Sequence, residues 1–209
     1  MAMARQWRRT NVMTHPEDLV WETIDPDELW AMDKLILSRK LGYVCGPTGQ
    51  DVPNPDWYIV RPCVNMIGLG LGAQKVYIEK ETMHLPLGYF WCEWFSGKHL
   101  SIDYHYGVQT LCVQGHKADN TLTQWDSWIA TDDQILLPFS LRTFAHHEWL
   151  NVEYIGGKAI EIHFRNNVDF EDNIKEFIPV WENQDTTPPE GYTYREYPDM
   201  HGRIGAFVK

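Results

Sequence analysis

The residues best placed to do chemistry are Glu153 and Glu161, on either side of the glycine pair in Asn151-Val-Glu-Tyr-Ile-Gly-Gly-Lys-Ala-Ile-Glu-Ile-His-Phe-Arg165. Asn151 and Glu153 alternate with Val152 and Tyr154, while Glu161, His163 and Arg165 alternate with Ile160, Ile162 and Phe164. That is the period of two strands, each with a polar and an apolar face. A two-residue turn at Gly156-Gly157 sets Glu153 against Ile160 and sends the polar faces in opposite directions. A three-residue connection, Gly156 to Lys158, pairs Glu153 with Glu161 and Asn151 with His163, and is the expected register. Two opposed carboxylates repel unless a proton or cation lies between them, and hard oxygens beside an imidazole suit Mg²⁺ or Mn²⁺. For an isolated hairpin, a solvated polar face with scattered charges is the plainer reading.

Several elements must position these groups. Asp25-Pro26, with Asp27 and Glu28 in the first turn, predicts a helix running to Gly42. Its apolar stripe is Leu29, Met32, Ile36 and Leu37, and Lys34 falls toward the polar side, within reach of a ligand. Trp57–Pro62 reads as a strand. Gly68, Gly70 and Gly72 form a glycine-rich loop with unobstructed backbone N–H groups, a common phosphate-binding arrangement, before a strand at Lys75–Glu79. Gly88–Phe95, Leu100–Tyr106 and Val108–Gly115 predict an antiparallel meander. Residues 138–149 and Asp169–Glu182 read as helical, and the Pro- and Tyr-rich segment from Asn183 as an extended tail wrapping the domain.

Composition narrows the function classes. With 209 residues and 44% hydrophobic content, the chain can bury an ordinary globular core. Its apolar runs are broken well short of the roughly 20 residues of a membrane helix, and Met1–Thr10 lacks the apolar core of a secretory signal. A cytoplasmic protein without a membrane partner is expected. The formal charge of −11 and the absence of a basic run speak against nucleic acid. Cys45, Cys63, Cys92 and Cys112 lack a CxxC pair, so neither a zinc knuckle nor a disulfide framework is expected.

The order of these motifs resembles the ATP-grasp superfamily over about residues 30–167. Glu153 followed by Glu161, His163 and Arg165 is similar to that family's Glu … Glu-x-Asn-x-Arg metal hairpin, with histidine in place of asparagine. Asp33-Lys34 resembles the family's opening Asp-Lys, and Ile59-Val60-Arg61-Pro62 the strand with the second phosphate-binding lysine, here an arginine that keeps the charge. Cys92 to Asp103 resembles the linker between lobes. The resemblance implies an α+β fold of two lobes whose antiparallel sheets sandwich a nucleotide: residues 25–100 as small lobe, 101–182 as large lobe, 1–24 as an amino-terminal extension and 183–209 as the tail. Glu93 and the backbone after it would bind the adenine edge, His99 would lie at the ribose, and Gly68, Gly70 and Gly72 would cover the phosphates.

It further implies an ATP- and magnesium-dependent ligase. Lys34, Arg61 and Arg165 would stabilise an acylphosphate formed on a carboxylate substrate before an amine or similar nucleophile displaces phosphate. Glu153, Glu161 and His163 would hold the metal. Because Asp33-Lys34 comes so early, the form expected is a minimal one lacking the family's usual amino-terminal domain. The acceptor is then a peptide or protein terminus, or a partner subunit or second copy completes the site. Two other classes stay open: a catalytically silent nucleotide-binding or scaffold protein, and an oxygenase-like barrel using some of the histidines. His146-His147-Glu148 reads as diverging around a helix, a core or surface role.

Overall fold

The computed structural model describes residues 20, 23–64, 70–118, 122–200 and 202–209. Asp25 accepts the Asp27 N–H at 2.9 Å and caps a 3-10 helix, Pro26–Met32. The single helix expected to reach Gly42 is divided at Asp33. There the backbone is extended (φ −91°, ψ 107°) and bridges to Val64, while the carboxylate accepts the Ile36 N–H and starts helix α1, Lys34–Lys40. The break follows from the Lys34 N–H, which donates to Cys63 O at 2.7 Å instead of to the preceding turn. Two consequences differ from the amphipathic reading. Leu29 and Ile36 are exposed, and Lys34 is buried rather than on a solvated side.

Two antiparallel sheets follow. β1 (Cys45–Pro47), β2 (Asp56–Pro62), β3 (Gln74–Ile78) and β4 (Tyr89–Glu93) form a four-stranded sheet ordered β1-β4-β2-β3. The larger sheet comprises β5 (His99–His105), β6 (Val108–His116), β7 (Ser127–Ala130), β8 (Trp149–Ile155), β9 (Lys158–His163), β10 (Glu176–Trp181), β11 (Thr193–Met200) and β12 (Arg203–Val208). Its order is β11-β12-β10-β7-β6-β5-β8-β9. The architecture is α+β, with each sheet contributed by one stretch of chain and Trp94–Lys98 passing between them.

The meander expected over Gly88–Gly115 is split, since β4 pairs with β1 and β2 in the smaller sheet while β5 and β6 pair in the larger one, and three further segments differ from their sequence reading. Residues 139–144 form only a short 3-10 helix, and Trp149 already begins β8. The helix expected over Asp169–Glu182 is a 3-10 helix, Val168–Asn173, followed by β10, because the backbone of that stretch pairs with β7 on one side and β12 on the other. The expected wrapping tail is the hairpin β11–β12, which buries Ala206 and Val208 beside β10. Tyr194 and Tyr197 belong to its edge strand β11, while Pro188, Pro189 and Tyr192 precede it.

The β8–β9 hairpin reaches the expected pairing by another route. Gly156 (φ +57°) and Gly157 (φ +80°) make a two-residue turn, closing Ile155 against Lys158 and Tyr154 against Ala159. Left-handed φ at both positions matches the twist of a hairpin and suits a glycine pair. The register then shifts, leaving Ile160 as a bulge and bringing Glu153 opposite Glu161 and Asn151 opposite His163. The additional residue lies in the strand, not the turn. A bulge restores the polar face after one slip of register and frees a main-chain carbonyl from the ladder.

Below this sheet lies the main core. Leu100, Ile102 and Tyr104 of β5 and Leu150, Val152 and Tyr154 of β8 point to one face, where they meet Met32, Leu37, Leu141 and Phe144. Full burial of a leucine or phenylalanine such as Leu150 or Phe144 is worth about 1.5–3 kcal/mol, so these strands are held by their apolar faces. The alternate residues are left to face the other way. No helix among the described residues is long and apolar enough to cross a membrane.

Candidate functional site

Strand alternation turns His99, Ser101 and Asp103 of β5, Asn151 and Glu153 of β8, and Glu161 and His163 of β9 away from the apolar core. In the smaller sheet Tyr58 and Val60 pack on Trp91, so Ile59 and Arg61 face the opposite way. Between these two polar faces is a cavity of about 1020 Å³. It is lined by the cations Lys34, Arg61, Arg165 and Arg203, the carboxylates Glu153, Glu161 and Asp169, and the imidazoles of His99 and His163. Four full positive charges against three negative ones is notable in a chain of formal charge −11. The basic excess is local, and such a cleft attracts an anion.

The groups are arranged in pairs. Lys34 Nζ lies 3.0 Å from Glu161 Oε2, with both side chains nearly buried, and His163 Nε2 is 3.4 Å from Glu161 Oε1. His99 Nε2 is 3.1 Å from Glu153 Oε2. Burial by itself would raise the Glu153 carboxyl, but the His99 hydrogen bond and the nearby His99, His163 and Lys34 charges outweigh it and bring it down to about 2. Arg61 crosses from the smaller sheet to donate to Ile160 O, the carbonyl of the bulged residue, at 2.9 Å. Burial lowers the Arg61 guanidinium from its ordinary value, and the Glu161 and Glu153 charges oppose that shift. Its Nε is buried without a hydrogen-bond partner among the described residues, as is Asp169 Oδ1. Orphan buried atoms of this kind call for a ligand, ion or water to complete them.

A second network supports the floor. Asp103 accepts the Asn167 N–H at 3.0 Å and Asn151 Nδ2 at 2.8 Å, and Asn151 also donates to Ser101 Oγ. Burial raises the Asp103 carboxyl, against the pull of Asn167, Asn151 and the Arg165 charge. Arg203 donates to Asp169 Oδ2 at 2.8 Å, between the rings of Phe177 and Tyr197. At the other end the lining is aromatic: Trp94, Phe95, Trp125 and Trp128, with the His99 ring edge-on to both Trp125 and Trp128. The cavity is thus charged at one end and flat and apolar at the other.

Of the residues singled out in the sequence, Lys34, Arg61, Gly70, Gly72, His99, Glu153, Glu161, His163 and Arg165 line this one cavity. Gly68 lies outside the described residues. Gly72 (φ +81°) is confined as well as twisted: a Cβ there would lie 2.6 Å from the Tyr89 hydroxyl. Glu93 stands apart from the cavity. Its carboxylate accepts the Val44 N–H at 3.0 Å and meets Lys158 Nζ at 3.3 Å, because the β4 alternation that turns Cys92 inward turns Glu93 away. Asp103, Asn167, Asp169, Arg203, Trp125 and Trp128 were not singled out. The polar-apolar alternation of His99 to Tyr104 could have flagged Asp103, but nothing local marks Arg203, which arrives on a strand 42 residues beyond Glu161.

No family model matches the sequence, and no curated protein matches it. Among solved structures the chain is similar to an ATP-grasp superfamily protein from Archaeoglobus fulgidus, at 13% identity and a TM-score of 0.48, over 85% of this chain and 64% of that one. It is also similar to D-alanine–D-alanine ligase from Bacillus anthracis (14% identity, TM-score 0.41, 64% of this chain and 56% of that one). The ATP-grasp ligase PsnB, solved with a minimal precursor, is similar at 10% identity and a TM-score of 0.42, over 71% of this chain and 56% of that one. The chain therefore spans 64% of the first of these and 56% of the other two.

Proposed function

We propose that the cleft between the two sheets binds ATP with a divalent cation, and that the protein is an ATP-dependent ligase of the ATP-grasp type. One observation carries this reading. Lys34 and Arg61 from the first half of the chain meet the cross-strand carboxylates Glu153 and Glu161 from the second half in a single cavity. Cations for phosphate oxygens and opposed carboxylates for a hard metal are the two things an ATP–Mg²⁺ site requires. The fit is supported by the orphan Nε of Arg61, a buried donor in the wall of a basic cleft.

In this reading Lys34 and Arg61 bind phosphate oxygens, and Glu153 and Glu161 hold Mg²⁺ or Mn²⁺ with His163 beside Glu161. The apolar end between Trp94 and Trp128 receives the base, next to the backbone of Ser96 and Gly97. ATP would supply the phosphoryl group that activates a carboxylate as an acylphosphate, and the cation would screen its charge. Arg165 grips the carboxylate substrate, and a nucleophile such as an amine enters from the open side. A peptide or protein terminus would suit a cavity of this size, and a cytoplasmic location the ATP requirement.

The rival reading is a nucleotide-binding protein without turnover. It is favoured by the partners already on the two carboxylates, Lys34 on Glu161 and His99 on Glu153, which the metal must displace or share. Calorimetric titration with a non-hydrolysable ATP analogue and Mg²⁺, followed by phosphate-release assays with ATP and paired carboxylates and amines, separates the two. Binding with phosphate release dependent on a carboxylate supports the ligase. Binding without release under any pairing leaves the silent protein, and no nucleotide binding overturns both.

A further inference from the structure

On the face of the large sheet opposite the cleft, three side chains converge that the nucleotide site does not use. Glu28 comes from the 3-10 helix Pro26–Met32, and His146 and His147 from the turn just before β8. We propose that Glu28, His146 and His147 form a separate transition-metal site, for zinc or a cation of similar preference, that clamps the 3-10 helix leading to Lys34 onto the segment leading to Glu153.

The geometry is close to what such a cation requires. Glu28 Oε2 lies 2.8 Å from His147 Nε2, Glu28 Oε1 lies 3.4 Å from His146 Nε2, and one ligand atom from each residue can be chosen so that all lie within 4.8 Å of one another. Tetrahedral zinc with bonds of about 2.0–2.1 Å spaces its ligand atoms about 3.3 Å apart. Two imidazoles and a carboxylate with one position left for water are a zinc donor set, not one for magnesium. His146 is well exposed, which leaves a path for the ion and room for that water.

The proton inventory points the same way. His146 Nδ1 is 2.9 Å from Thr143 O. A carbonyl only accepts, so Nδ1 carries the hydrogen, and in the neutral ring Nε2 presents a lone pair to the Glu28 carboxylate. Two acceptors cannot face each other without a proton or cation between them. A cation placed among the three groups meets that requirement, and with the two rings 4.2 Å apart at 37° both Nε2 atoms are near enough to share it. One divalent ion compensates the carboxylate and takes both lone pairs. A backbone carbonyl on the far nitrogen is also the usual device that orients a metal-binding histidine.

The site is preorganised by the core beneath it. His147 packs edge-on to Phe164 at 4.6 Å and lies against Phe144, both members of the main core. The 3-10 helix ends at Phe144 with Ala145 as its cap, so the histidine pair leaves in one direction instead of diverging around an α-helix. That corrects the sequence reading of His146-His147-Glu148. Glu148 takes no part in this cluster.

The test uses the metal-stripped full chain. Cobalt(II) is titrated in and followed by its visible absorption, and zinc by competition and calorimetry. One equivalent of cobalt with the strong absorption of a tetrahedral site, displaced by zinc, is expected. His146→Ala, at an exposed position, should weaken zinc binding by at least about 10–100-fold, the loss that even outer-shell changes produce at metal centres. Zinc should raise the melting temperature of the wild type and not of that variant. Glu153→Gln, which removes a carboxylate from the cleft, should leave zinc binding unchanged, so the result stands apart from the nucleotide reading. Absence of zinc binding, binding undiminished in His146→Ala, or binding lost in Glu153→Gln overturns the proposal.

Discussion

Lys34 Nζ and Glu161 Oε2 stand 3.0 Å apart, one at the first position of α1 and the other on the far edge strand of the large sheet. Both are nearly buried, so removing one partner takes away a close charge contact of the other. Lys34→Met should destabilise the fold by about 3–5 kcal/mol, and the double variant Lys34→Met with Glu161→Gln by clearly less. Urea denaturation of the wild type and these two variants at neutral pH measures this. Equal losses in single and double variants would show that the pair is not coupled.

The hairpin glycines make a contrast. Gly156 packs on the strand connection, where an added Cβ would lie 2.2 Å from Ser96 O, while a Cβ on Gly157 meets nothing within 4 Å. Both have left-handed φ, so alanine costs each about 1 kcal/mol or more of backbone strain. Gly156→Ala should cost about 2 kcal/mol beyond Gly157→Ala, since the turn must also pull away from Ser96. Thermal unfolding of the two variants side by side decides it.

Acid stability follows from Glu153. Its carboxyl falls from 4.5 to about 2 in the fold, so its ionised form is favoured there. A depressed acid contributes stability that is present above the unfolded value and lost as pH falls toward the folded one. The wild type should therefore exceed Glu153→Gln by up to about 3 kcal/mol near neutrality, and that gap should close between about pH 4.5 and pH 2. Chemical denaturation at a series of pH values reads the gap; a difference independent of pH would overturn the assignment.

Tyr104 and Tyr154 share a hydrogen bond of 2.9 Å inside the main core, and Tyr104 also donates to Ile135 O. Tyr154 is then the donor to Tyr104, and the two substitutions are unequal. Tyr154→Phe removes one bond and should cost about 1 kcal/mol, whereas Tyr104→Phe leaves the Tyr154 hydroxyl and Ile135 carbonyl unsatisfied and should cost about 2–3 kcal/mol. Equal losses on denaturation would mean that the donor order is reversed or shared.

Much of the architecture could be read along the chain, because strands alternate with period two whatever they pack against. The expected runs Trp57–Pro62, Lys75–Glu79, Leu100–Tyr106 and Val108–Gly115 fall within a residue of β2, β3, β5 and β6, and alternation along the hairpin gave the meeting of Glu153 with Glu161. What failed was the reading of segments whose hydrogen bonds go to distant partners. The helix expected through Asp33 breaks because Cys63 takes the Lys34 N–H, and residues 176–181 become a strand because β7 and β12 lie on either side to pair with them. Local propensity is weak beside such pairings.

The sequence by itself determined which side chains share a face: period-two alternation is a property of the chain, so His99, Ser101 and Asp103 had to point together, as did Glu161 and His163. Only the tertiary structure decided what those faces meet. That Arg61 reaches the carbonyl released at Ile160, that Arg203 returns from the last strand to the same cavity, and that Glu28 closes on two histidines 118 and 119 residues away are outcomes of long-range packing. Their physical reason is common to all three: a buried charge takes whichever partner the assembled core brings within a few ångströms, and no local pattern encodes that distance.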